Sequence, residues 1–134
     1  MGEGFLIDTN VLVYYLADAI PEEELPKVED ILRKSFNISI ITKIEFLGWK
    51  GHTKEGFEKS KEFISFAHVI PLTGEIADIA IELRRKVKVK LPDAVIAATA
   101  LRHNLTLVTR NVKDFEKVEG LRIYNPFEKI DKRC

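Results

Sequence analysis

Apolar residues along the chain fall into two kinds of run. Positions 5–7, 37–41, 68–71, 106–108 and 121–124 are short apolar or β-branched stretches, too short for helices. They read as strands, the last of them edge-like. Between them apolar residues recur at helical spacing. Leu25, Val28, Ile31 and Leu32 share one face of a helix that Pro21 opens and that ends near Lys34. Ile76, Ile79, Ala80, Leu83 and Val87 share a face of a second, over 74–87. Further helices are expected over 11–16, 42–49 and 54–66, the one over 42–49 starting on a capping-box pattern, Thr42 with Glu45. The helix over 93–102 follows Pro92 and carries eight successive uncharged residues, so it is expected to be buried nearly all round. Residues 109–111 read as a loop.

Strands alternating with helices through short connections imply an α/β fold. The sheet is mostly parallel, with four to five strands and helices on both faces. At 134 residues a single domain over 1–134 is the expectation. No apolar run approaches the length needed to span a membrane, and the opening Met1-Gly2-Glu3-Gly4 lacks the basic start of a secretion signal. The single cysteine, Cys134, excludes an internal disulfide and a cysteine zinc site, which points to a reducing cytoplasm.

The net charge is zero, but 1–67 carry 8 Lys/Arg against 12 Asp/Glu, and 68–134 carry 13 against 9. A balanced chain is no general polyanion binder, though a local basic surface fits the second half. The absence of Gln and the Lys/Glu bias fit a thermophile source.

In a parallel sheet the helix N-termini gather over the C-terminal strand edge, where ligand sites open. Asp8 follows the first strand, Glu45 the second, and Asp114 the fourth, while Asp93 starts the buried helix. Each has another role open to it. Asp8 can cap a helix, Glu45 can complete the capping box, Asp93 can favour a helix dipole, and Asp114 can be a solvated loop residue. Asp93 is the hardest to explain that way, because a carboxylate leading an apolar helix needs a donor or cation. If the four meet, they require a cation to ionise together, and oxygen-only ligands suit Mg²⁺ or Mn²⁺. Such an arrangement cleaves phosphodiesters. The basic stretch 84–90 either guides a nucleic-acid backbone or is a solvated helix end. The histidines are scattered, Trp49, Phe57, Phe63 and Phe66 suit core or interface, and Tyr14 and Tyr15 suit packing.

The segments FLIDTNVLVYYL (5–16), ITKIEFLGW (41–49), KLPDAVIAATALRHNLTLVTRNVKDF (90–115) and LRIYNPF (121–127), in that order, make the chain resemble a PIN-domain ribonuclease of the VapC toxin type. The resemblance covers about 4–127. It implies a three-layer fold and a Mg²⁺- or Mn²⁺-dependent endoribonuclease. It also implies RNA as substrate, a homodimer, and a protein antitoxin, which is expected to insert a basic side chain among the carboxylates; the aromatic residues without an obvious core role point to the 57–66 helix as the dimer contact. Asp8, Glu45 and Asp93 match the family's acids. Many relatives carry an acid at the position of Asn111, so the fourth is assigned to Asp114, with Asn111 a neutral substitute. Asn10, Thr109 and Arg85 are expected to support the site or the phosphate. The competing readings are a non-catalytic RNA-binding or assembly module, a phospho-receiver domain and an aspartyl phosphatase. Thr9-Asn10 after Asp8 fits the last two poorly.

Overall fold

A computed structural model describes residues 4–127; Cys134 lies outside them. The strands are β1 (Phe5–Ile7), β2 (Asn37–Ser39), β3 (His68–Ile70), β4 (Thr106–Val108) and β5 (Ile123–Tyr124). They form one sheet in the order β3-β2-β1-β4-β5, with every neighbouring pair parallel and β5 at an edge. The helices are α1 (Thr9–Leu16), α2 (Leu25–Lys34), α3 (Ile40–Leu47), α4 (Lys54–Ile64), α5 (Gly74–Lys86), α6 (Leu91–Arg102) and α7 (Val112–Phe115).

Alternation along the strands builds two cores. Leu6, Ile70 and Leu107 enter one, against α5, α6 and α7. Ile7, Ile38 and Val108 enter the other, against α1, α2, α3 and α4. The α/β class and the three layers expected from the sequence are therefore present. So is the buried helix: residues 94–100 of α6 are all buried. Asn104, in the left-handed region at φ 56°, ends α6 by letting Leu105 N–H bond to the Ala100 carbonyl at 2.9 Å, which turns the chain into β4.

Some boundaries differ from the sequence reading. Ser39, not Thr42, caps α3, its Oγ accepting from Ile41 N–H at 3.0 Å. Ile40 and Ile41 are thus helix rather than strand, Thr42 is buried inside α3, and Glu45 lies in the second turn. That helix stops at Leu47, before Trp49. Pro21 precedes a turn, and α2 starts at Leu25. Residues after 111 form the short α7 rather than continuing a loop.

Candidate active site

The strand order decides the geometry. The chain moves outward from β1 through β2 to β3, then crosses back to place β4 on the other side of β1. The order therefore reverses between β1 and β4, and crevices of open α/β sheets lie over that reversal. Asp8 directly follows β1 and Thr109 directly follows β4. The Asp8 amide bonds to the Val108 carbonyl at 2.9 Å, fixing the two ends side by side.

Asp8 is 5% exposed and accepts three hydrogen bonds. Oδ1 takes Thr9 N–H at 2.8 Å, so Asp8 is also the α1 cap. Oδ2 takes the Thr109 hydroxyl at 2.8 Å and the Asn10 amide at 3.2 Å. Asn10 in turn accepts from Arg110 N–H at 3.1 Å, and Thr109 Oγ1 accepts from Asn111 N–H at 2.9 Å. Asn10 and Thr109 thus support the carboxylate and pin the loop after β4. Asn111 is exposed and takes part through its backbone.

Burial pushes the Asp8 carboxyl up to about 6, and the charges of Asp93 and Glu45 add to the rise; the Thr109 and Thr9 bonds oppose it. Burial also raises Asp93, as do the charges of Asp114 and Glu45, against Lys90. All four predicted acids are therefore electrostatically linked. Glu45 on α3 receives the Thr9 hydroxyl at 2.7 Å, and that hydroxyl lies 3.3 Å from the Thr42 hydroxyl. No three acidic, histidine or cysteine side chains close around one point among the described residues. The donor set still suits a hard divalent cation: it is all carboxylate oxygen, mutually repelling, with no cation paired to Asp8 among the described residues.

Arg85 does not join this group. Its guanidinium bonds to Glu82 at 3.4 Å, whereas Arg84 lines the cavity that holds Asp93 and Asp114. The helical phase, not the charge run, decides which arginine faces the site. Arg110 was not expected from the sequence. It follows Thr109, and its guanidinium lies 4.9 Å from the Tyr14 ring and 4.8 Å from the Phe127 ring. Its position right after the strand was the available signal. Tyr14 and Tyr15 pack on Phe127 and Phe63. Trp49 is 62% exposed and Phe66 74%, so neither is core.

The model of the PIN domain matches residues 5–121. The chain belongs to the PIN-domain family. Among curated relatives of this PIN domain, Ribonuclease VapC2 of Rickettsia felis is 27% identical over 131 residues, covering 90% of this chain and 96% of the relative. Among solved structures, a toxin–antitoxin complex from Klebsiella pneumoniae matches at TM-score 0.76 and 32% identity, covering 94% of this chain and 100% of that one. The VapBC2 complex of Rickettsia felis, bound to a promoter DNA fragment, matches at TM-score 0.76 and 25% identity, covering 90% and 97%. No helix among the described residues of this PIN domain is long and apolar enough to cross a membrane.

Proposed function

We propose that this PIN domain is a Mg²⁺- or Mn²⁺-dependent endoribonuclease, the toxin of a toxin–antitoxin pair, acting in the cytoplasm. The observation that carries the reading is Asp8: a buried carboxylate at the reversal of strand order, coupled to Asp93 and Glu45, with no cation beside it among the described residues. The ribonuclease names of its VapC relatives support the same chemistry.

Asp8, Glu45, Asp93 and Asp114 would hold the ion. Bound there, the cation supplies Lewis-acid activation of water and neutralises charge building on the phosphate. The chain's own part is positional. Three donors lock Asp8 in one orientation. Thr9 steers Glu45 toward the same centre. Asn10 and Thr109 hold the β1 and β4 ends together.

The protein partner has a surface to use. Thr9, Val13, Leu16, Phe46 and Trp49 line a largely apolar cleft of about 530 Å³ that runs up to Glu45. An antitoxin segment seated there reaches the carboxylates, and a basic side chain on it would take the place of the ion. A homodimer completes the reading, with the α4 end and exposed Phe66 as its contact.

Incubation with single-stranded RNA tests the activity. Cleavage in Mn²⁺ or Mg²⁺, abolished by EDTA, is expected. RNA left intact in both metals contradicts the enzyme reading, and RNA bound without cleavage favours the non-catalytic module.

A further inference from the structure

The cavity beside the carboxylates, about 390 Å³, has a wall of cations. Arg84, Lys88, Lys90 and Lys117 line it together with Asp93 and Asp114. The backbone explains the convergence. After α5 the segment 87–90 reads Val-Lys-Val-Lys, and Val87 and Val89 pack on the α5–α6 core. Two-residue alternation then turns Lys88 and Lys90 outward together. Arg84 comes from the last turn of α5, and Lys117 follows α7.

Six cations elsewhere on the surface are held by carboxylates. Arg33, Lys34, Lys59, Lys61, Arg85 and Arg102 each have a carboxylate within 4.0 Å. Arg84, Lys88 and Lys117 have no such ion pair among the described residues, and Lys90 acts on Asp93 without forming one. Four cations thus share a cavity with two carboxylates that face the catalytic centre. The opposite flank, at Glu45, is apolar. The carboxylates lie on the border between an apolar cleft and a cationic one.

We propose that this cationic cavity is a subsite for backbone phosphates of the RNA strand next to the scissile bond, so that RNA enters over the α5–α6 link while the Glu45 side stays free for protein. The inference rests on the ribonuclease reading for its ligand. Phosphate contacts carry affinity without base identity, so the subsite sets strand path and KM rather than sequence preference.

The test uses the whole chain and a labelled, single-stranded 2′-O-methyl RNA that cannot be cleaved. The variant is Lys88→Ala with Lys117→Ala. The control is Arg33→Ala with Lys34→Ala, on α2 against the opposite core. Anisotropy is expected to show Kd raised at least tenfold for the first pair and unchanged within twofold for the control. The slope of log Kd against log salt should fall by about 1.4, at roughly 0.7 for each single-strand phosphate no longer neutralised. Lys88→Arg with Lys117→Arg should restore binding. On cleavable RNA in Mn²⁺, KM should rise with kcat within twofold. Equal binding by both Ala pairs, or no RNA binding by the wild type, overturns the subsite. Selective loss of binding in a protein that never cleaves RNA upholds the subsite and removes the ribonuclease reading. Cleavage with both Ala pairs alike does the reverse.

Discussion

Thr109 donates its hydroxyl to Asp8 Oδ2 at 2.8 Å across 101 positions of chain. The pair joins the ends of β1 and β4, and the same Thr109 oxygen accepts from Asn111 N–H, so one side chain orients both the carboxylate and the following loop. Thr109→Val keeps the shape and removes both bonds. A lost hydrogen bond to a buried charge is worth about 1.5–3 kcal/mol, so a clear fall in melting temperature is expected, together with weaker cleavage. Thr109→Ser should retain most of each. A Val variant that melts and cleaves like wild type would remove Thr109 from the site.

The pH dependence of stability follows from Asp8. Its folded carboxyl titrates near 6, above the ordinary 3.8, so the folded state binds the proton more tightly than the unfolded chain. Stability contributed this way is full at the acid end and declines as pH rises from about 4 through 6. The loss by neutral pH is on the order of 2–3 kcal/mol. Asp93, also raised, works in the same direction. Thermal melts in EDTA should show wild type losing more stability than Asp8→Asn over that window. Parallel curves for the two proteins would contradict the shift.

Metal should reverse that strain. Mn²⁺ binds the folded state and is expected to raise the wild-type melting temperature. In EDTA, Asp93→Asn should be at least as stable as wild type, since it removes repulsion toward Asp114 and Glu45. A purely helix-dipole role for Asp93 predicts the opposite, a loss of up to about 1 kcal/mol and no response to metal.

Much of this was legible in the sequence because the signals are local. The short apolar runs, Asp8 after the first of them, and the unbroken apolar stretch after Asp93 mark the strands, the place of Asp8 at the end of β1, and the buried helix. Lateral placement was not legible: β1 meets β4 through a crossover longer than any local pattern reports. Ile40 and Ile41 read as strand because they are β-branched, yet the Ser39 cap and the packing of Ile41 on the α5–α6 core make them helix. α7 is four residues long, too short to show a period. Arg84 and Arg85 are equivalent in composition, and only helical phase separates them.

The proposed dimer has a plain check. Light scattering at high micromolar concentration should give twice the chain mass, and Phe66→Lys should lower it. A monomer throughout contradicts the assembly without bearing on the carboxylate group.

The carboxylate centre itself is tested most directly by Asp93→Asn. Asp93 accepts no hydrogen bond among the described residues, so the substitution leaves the packing intact and removes one charge from the centre. Its rate of single-stranded RNA cleavage in Mn²⁺ should fall to background while its melting curve in EDTA stays cooperative. An Asp93→Asn protein that cleaves at the wild-type rate would show that the catalytic centre lies elsewhere.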